Sequence, residues 1–274
     1  MAESKVIAFR RLIWKYYRAH GRHDLPWRRT KDIYKILVSE VMLQQTQVER
    51  VIPFYKKFIK QFPTAKKLAA APLSDVLKAW QGLGYNRRAK MLHQAAKELA
   101  SRKISTVPEL EALPGVGPYT ARAIAAFAWN EDVVFVETNI RTAIIHHFFN
   151  QKRNTAIYRS VSDTQIEEIL AKALPRGKAR EWYSALMDYG SHLKHSGISH
   201  NAKSKTYAKQ SKFAGSLREA RGAILRELSR GAAARLRLVN LLGTKRRAQC
   251  EAALEALQAE VLVHVRGSRV ALGA

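Results

Sequence analysis

The sequence predicts an all-helical body over residues 1–195 and a small α+β unit over residues 217–274, joined by a basic stretch at 196–216. Three observations predict it. From Val6 to about His195, apolar residues recur at three- and four-residue spacing between Pro and Gly breaks, the period of amphipathic helices. Residues 194–216 (KHSGISHNAKSKTYAKQSKFAGS) are polar, basic and nearly free of branched aliphatics, as a linker or surface loop is. The last stretch, AEVLVHVRGSRVALG, alternates around Gly267-Ser268 like a β-hairpin.

Tyr34, Leu37, Val38, Val41 and Met42 form one core stripe, and Val76, Leu77, Trp80 and Leu83 form another. Leu25-Pro26, Phe62-Pro63, Ala71-Pro72, Gly82-Leu83-Gly84, Val107-Pro108, Leu113-Pro114-Gly115-Val116-Gly117 and Leu174-Pro175 break the body into helices with short connections. In the tail, residues 217–229 are amphipathic, RLRLVNLLG makes a short second helix and KRRAQCEAALEALQ a third. Three helices and a hairpin suggest a winged helix. Its third helix would approach DNA with Lys245, Arg246 and Arg247 near its start, and Arg266 and Arg269 would lie on the wing. The alternative is a packing module with a solvated basic face.

The 274 residues allow one large domain or two smaller ones. Forty-eight Lys and Arg against 22 Asp and Glu leave a formal charge of +26, while 47% of residues are apolar. A folded chain with so basic a surface points to a polyanionic partner, of which nucleic acid is the common one. The single cysteine, Cys250, excludes an intramolecular disulfide and any cluster needing several thiolates. No run reaches the roughly eighteen apolar residues of a membrane span, and the start, MAESKVIAFRR, lacks the order of a signal peptide. The expectation is an intracellular monomer, in cytoplasm or nucleoid, without membrane contact.

Three segments carry chemistry. Leu113-Pro-Gly-Val-Gly-Pro-Tyr-Thr-Ala121 is a tight turn opening a helix. Its glycines suit positive φ or close approach, and its amides suit a phosphate. Such a turn is plain structure in many proteins. It gains meaning between two amphipathic segments of a basic chain, the setting of a helix-hairpin-helix clamp with Leu113, Gly115, Val116 and Gly117 at the DNA backbone. In Ser39-Glu-Val-Met-Leu-Gln-Gln-Thr-Gln47, Glu40 and Gln44 share a helical face beside an apolar stripe. Burial favours the protonated form of a carboxyl group and suits it to general-acid work, whereas a lone helical Glu is ordinarily solvated. The amides around it suit reading base edges or filling space in a duplex. In Val133-Val-Phe-Val-Glu-Thr-Asn-Ile-Arg141, Glu137 follows four apolar residues. One carboxyl as acid and one as cation stabiliser is the division of labour of sugar-bond cleavage through an oxocarbenium-like state. Spacing along the chain says nothing about whether Glu40 and Glu137 meet.

In order, Leu25-Pro-Trp-Arg28, Ser39 to Gln47, Gln81-Gly-Leu-Gly-Tyr85, Leu113 to Ala121, Glu137-Thr-Asn139 and Met187-Asp-Tyr-Gly190 resemble the MutY-type adenine DNA glycosylases of the helix-hairpin-helix superfamily, over residues 5–194. The resemblance implies a fold of two helical lobes and a monofunctional enzyme of base excision repair. Such an enzyme flips a purine from duplex DNA, most often adenine opposite 8-oxoguanine or guanine, and hydrolyses its N-glycosidic bond. By position, Glu40 falls on the catalytic acid and Glu137 on the catalytic aspartate, with one added methylene. Asn139 and Tyr119 fall on supporting pocket residues. Tyr119 occupies the place of the nucleophilic lysine of bifunctional relatives, so no lyase activity is expected. Gln45 and Tyr85 match residues that enter the duplex, with Gln44 beside them, and Arg87, Arg88 and Lys90 would extend a phosphate-contacting face.

Two further departures matter. Lys194, Asn201, Ser204 and Gln210 stand where the family carries cluster cysteines, so no iron–sulfur cluster and no other cofactor is expected. His192, His195 and His200 lack cysteines or an acid at zinc-site spacing, so no metal is expected either. The tail is too short for the family's Nudix-like domain that reads 8-oxoguanine. Two alternatives stay open. One is the same chemistry on another lesion, such as 8-oxoguanine itself or a deaminated base; the other is a catalytically idle DNA-binding protein.

Overall fold

The computed structural model describes residues 3–149, 161–199 and 212–273. Its helices are α1 (Glu3–His20), α2 (Ile33–Leu43), α3 (Val48–Gln61), α4 (Ala65–Ala70), α5 (Leu73–Trp80), α6 (Arg87–Ser101), α7 (Val107–Glu111), α8 (Pro118–Trp129), α9 (Thr138–Ile144), α10 (Asp163–Ala173), α11 (Ala179–His195), α12 (Leu217–Leu228), α13 (Arg235–Val239) and α14 (Arg247–Ala259). Strands β1 (Ala233–Ala234), β2 (Val263–Arg266) and β3 (Arg269–Leu272) form an antiparallel sheet in the order β1-β3-β2. The chain is predominantly helical, as its periodicity predicts, and both expected stripes are buried.

The chain divides into two compact units that do not follow sequence order. One comprises residues 1–36, 106–111 and 116–209; the other comprises 37–105, 112–115 and 210–274. The tail belongs with α3–α6 because its apolar faces need a partner larger than themselves. Gln81 Nε2 donates to the Leu225 carbonyl at 2.9 Å, and Lys90 Nζ donates to that of Glu260 at 2.6 Å. Gly273 lies against Leu73.

The first unit is built around α11, whose Trp182, Tyr183, Leu186, Tyr189 and Leu193 are buried. Val6, Phe9 and Ile13 of α1, Ile140 and Ile144 of α9, and Ile166 and Leu170 of α10 join the same core. Ser162 and Gln165 make a reciprocal capping box that starts α10. The ring of Tyr183 stacks on Phe135 at 4.0 Å, and its hydroxyl donates to the Val133 carbonyl at 2.7 Å, fixing the strand-like run before Glu137.

Asp188, 3% exposed, organises the loop after α1. It accepts from the Arg22 amide at 2.8 Å, Arg22 Nε at 2.6 Å, and Arg28 Nη1 and Nη2 at 2.7 and 2.9 Å. Two residues on, a Cβ at Gly190 would lie 2.0 Å from the Asn139 carbonyl oxygen. Glycine is required there because α11 touches the backbone beside Glu137. Gly190→Ala is expected to cost about 1–3 kcal/mol through forced separation of α11 from α9, read as a Tm lower by roughly 3–10 °C; an unchanged Tm would mean that the contact is soft.

In the second unit, Val51, Tyr55 and Phe58 of α3, Leu73, Val76, Leu77 and Trp80 of α5, and Ala89, Leu92, Ala95 and Ala96 of α6 supply the core. Ala220, Ile224, Leu225 and Leu228 of α12 face Cys250, Ala253, Leu254 and Leu257 of α14. The predicted hairpin is present, with Gly267-Ser268 at its turn and Gly267 at φ 59°. Strand β1 is too short to show a period in sequence. Among the described residues, no helix is long and apolar enough to cross a membrane.

Candidate active site

Glu40 lies on α2 and is 7% exposed, between Ser39 and Val41, which are also buried. Four residues on, Gln44 is half-buried where the helix has ended, and the chain reverses at Gln45, an exposed residue with φ 55°. Arg88 holds that end. Its Nη1 donates to the carbonyls of Val41, Met42 and Gln44 at 2.7, 3.2 and 2.5 Å, and its Nη2 to those of Leu83 and Gly84 at 3.3 Å each. These include carbonyls that a helix C-terminus leaves without intrahelical donors. Burial lowers the guanidinium to about 10 despite the Tyr85 hydroxyl beside it. The expected phosphate contact at Arg88 gives way to a positioning role, because its donors are directed onto the two loops. Lys90 is likewise engaged by the Glu260 carbonyl, whereas Arg87 is exposed.

The second loop presents Tyr85, half-buried at φ 47°. Left-handed backbone is costly for a side chain with a Cβ and concentrates at functional positions. Gln45 and Tyr85, the two residues expected to enter a duplex, are two of the four such non-glycine residues among those described. Trp80 Nε1 donates to the Gly84 carbonyl at 3.1 Å, and Arg50 donates to that of Gly82, so the loop is braced on both sides.

In the hairpin, Leu113 and Val116 are buried, so their side chains anchor the turn and only their backbones remain available to a ligand. Gly115 meets both reasons for glycine: φ is 77°, and a Cβ would lie 2.6 Å from Met91 Cβ. Gly117 meets neither. It has φ −94° with open space where a Cβ would be, and it caps α8 without a side chain over the first-turn amides. Tyr119 follows in that first turn, half-buried, with its ring edge-on to Phe135 at 5.7 Å.

Glu137 is the N-cap of α9. Its carboxylate accepts from the Thr138 hydroxyl at 2.6 Å, the Asn139 amide at 2.7 Å and Asn139 Nδ2 at 3.0 Å. The extra methylene of glutamate is thus accommodated by folding the side chain back over its own helix terminus, where the helix dipole favours negative charge. Lys194 Nζ donates to Thr138 Oγ1 at 3.1 Å. An ammonium only donates, so the Thr138 hydroxyl accepts from Lys194 and directs its own proton to Glu137. Burial lowers the pKa of Lys194 and Arg141 does likewise, while Glu137 opposes both. Lys194 therefore puts a cation beside Glu137.

In the tail, Lys245 and Arg247 are exposed at the start of α14. Arg246 instead pairs with Glu219 at 2.9 Å and donates to Gln249 at 2.8 Å, so it secures α14 to α12. Arg266 and Arg269 face each other across the hairpin, a like-charge pair that an anion would relieve. Cys250 is buried and free of any disulfide. No group of three His, Cys, Asp or Glu suited to a metal occurs among the described residues; His200, Asn201, Ser204 and Gln210 lie outside them.

The first unit thus brings together Glu137, Asn139 and Lys194, and the second brings together Gln44, Gln45, Tyr85 and Arg88. Glu40 and Glu137 belong to different units. Sequence reading passed over Lys194 as a cation and missed Arg218, whose guanidinium donates to the Tyr85 hydroxyl at 2.9 Å. Neither had a local signal, since each acts across a separation of many residues.

The profile of the HhH-GPD superfamily of base excision DNA repair proteins matches residues 38–174. An adenine DNA glycosylase of Mycolicibacterium smegmatis is 42% identical over 62% of this chain and 58% of its own length. That of Buchnera aphidicola subsp. Baizongia pistaciae is 37% identical over 67% and 52%. The chain thus spans somewhat over half the length of these relatives. A thermostable thymine-DNA glycosylase superposes with a TM-score of 0.59 at 26% identity, covering 69% of this chain and 87% of that one. A trapped endonuclease III–DNA covalent intermediate superposes with 0.57 at 17% identity, over 70% and 87%, sharing the fold. With half its residues inside the family profile and its helical order repeated in solved relatives, the chain belongs to the HhH-GPD superfamily of base excision DNA repair proteins.

Proposed function

We propose that this protein is a monofunctional DNA glycosylase that removes adenine opposite 8-oxoguanine or guanine from duplex DNA. The observation that carries the reading is the contrast between two carboxyl groups at family positions. Glu40 is buried on an apolar helix face, and Glu137 is held as an acceptor by three donors at a helix N-terminus. One setting suits a proton donor and the other a standing negative charge.

In the proposed reaction Glu40 gives its proton to N7 of the flipped purine. The C1′–N9 bond then breaks, with its electron pair leaving on the base. Glu137 stabilises the oxocarbenium ion, and water adds at C1′, losing its proton to a carboxylate and leaving an abasic sugar and free adenine. Tyr119 offers no amine, so no Schiff base forms at that position. The lone thiol, Cys250, is buried in α14, and Lys194 stands at a cluster position, so the residues present do not fit an iron–sulfur cluster and no step involves one. The hairpin amides, Arg87 and the paired arginines of the tail hairpin would hold phosphates, the last in keeping with a winged-helix reading of residues 217–274.

Single-turnover assays on adenine:8-oxoguanine, adenine:guanine and 8-oxoguanine:cytosine duplexes, with and without alkali, test this. The expected result is nicking at adenine that requires alkali. Nicking at 8-oxoguanine alone would move the substrate, nicking without alkali would restore a lyase, and silence on all three would favour a DNA binder.

A further inference from the structure

Glu137, at the head of α9, has one more rotatable bond than an aspartate would have there, so its carboxylate must be held if it is to meet a charge at a fixed place. The three donors that hold it belong to Thr138 and Asn139, its next neighbours in the chain. Of these the Thr138 hydroxyl is the least constrained, because Thr138 is exposed and a hydroxyl can turn its one proton to water. Lys194 supplies a constraint from another helix. Its Nζ donates to Thr138 Oγ1 at 3.1 Å, cannot take the hydroxyl proton in return, and polarises the hydroxyl toward Glu137 Oε1 at 2.6 Å. The place of Lys194 is itself fixed. Gly190, one turn earlier on the same face of α11, lies so close to α9 that a Cβ there would be 2.0 Å from the Asn139 carbonyl oxygen. Burial works against the charge of Lys194, Glu137 favours it and Arg141 opposes it, while Arg141 is tied to Asp163 at 2.8 Å. An apolar side chain would fill this half-buried place without the cost of desolvating an ammonium.

We propose that Lys194 is a positioning residue that acts through the Thr138 hydroxyl to hold the Glu137 carboxylate where positive charge develops on the sugar. The inference rests on Glu137 stabilising the oxocarbenium ion in the reaction proposed above. Two effects of Lys194 oppose each other: its charge repels the developing cation, and its hydrogen bond orders the carboxylate that attracts it. Lys194 reaches the carboxylate through an intervening hydroxyl, so its charge is set back from the sugar, whereas misplacement of a catalytic group by about 1 Å costs a large factor in rate. Order therefore outweighs repulsion.

The affinities of the full-length protein for two duplexes test this. One carries a cationic pyrrolidine in place of the excised nucleotide, as a mimic of the oxocarbenium ion, and the other a neutral tetrahydrofuran, both opposite guanine. Wild type is expected to bind the cationic duplex about 10²-fold more tightly. Lys194→Met should lower this ratio about tenfold and leave affinity for the tetrahydrofuran duplex within about twofold. Thr138→Val, which removes only the intervening hydroxyl, should lower the ratio by a similar factor, and the double variant should lose no more than either single one, because both cut the same chain of hydrogen bonds. An unchanged ratio in Lys194→Met would overturn the proposal, as would additive losses. A ratio that rises would make Lys194 a repelling charge only, and equal weakening of both duplexes would make it a phosphate contact; each of these also overturns it. A wild type without preference for the cation would defeat the role of Glu137 and that of Lys194 with it. A wild type that shows the preference, with the expected loss in Lys194→Met, but excises no adenine would move the substrate and support Lys194.

Discussion

Replacing Glu40 by glutamine should lower single-turnover excision of adenine by about 10²–10⁴-fold, while duplex affinity changes by less than about twofold. The substitution keeps size and hydrogen-bonding capacity and removes only the transferable proton. Glu40 is buried on a regular helix and glutamine matches it in size, so the loss should fall on chemistry. A variant that retains more than about a tenth of wild-type activity would exclude Glu40 as the acid. One that also fails to bind would place Glu40 in DNA positioning instead.

Asp188→Asn has the largest expected effect on stability, a loss of about 3–5 kcal/mol, or roughly 6–15 °C in Tm. Four hydrogen bonds from Arg22 and Arg28 converge on this buried carboxylate, and an amide cannot accept them all. The Arg28 side chain, 12% exposed, would keep its charge without a counter-ion. The pH dependence follows in sign. Burial raises the pKa of Asp188, but the hydrogen bond and charge of Arg28, with those of Arg22, outweigh it and hold the group below its ordinary 3.8. Its contribution is therefore complete above that value and is lost as pH falls through the folded pKa.

His147 adds to the acid sensitivity at milder pH. Burial, then His146 and Lys5, lower it from 6.5 to about 4, so between those values the unfolded chain binds the extra proton and stability falls as pH drops. Thermal melts between pH 7 and pH 4 should show declining Tm in wild type. His147→Phe, which removes the titrating ring nitrogen, should flatten the upper part of that decline; an undiminished slope would assign it to other groups.

Helical class, core stripes and hairpin were legible because side-chain period encodes which face is buried, as Tyr34 to Met42 and Val263 to Leu272 illustrate. The chemistry-bearing segments were legible for a related reason. Burial of Glu40 follows from its place beside an apolar stripe, whereas the capping of α9 by Glu137 was seen only in the structure.

What only the tertiary structure decided concerns partners distant in sequence. Basic residues read alike along the chain, yet Arg88, Lys90 and Arg246 are engaged by carbonyls or an acid while Arg87, Lys245 and Arg247 face outward. Gly190 is legible as a helix residue, but only the Asn139 carbonyl against it explains why no larger residue fits. Sequence position likewise assigned the tail to a domain of its own, whereas packing joined it to α3–α6 and set Arg218 on Tyr85. Periodicity reports which residues leave water; it carries no information about which distant group meets them there, because that depends on how the helices pack.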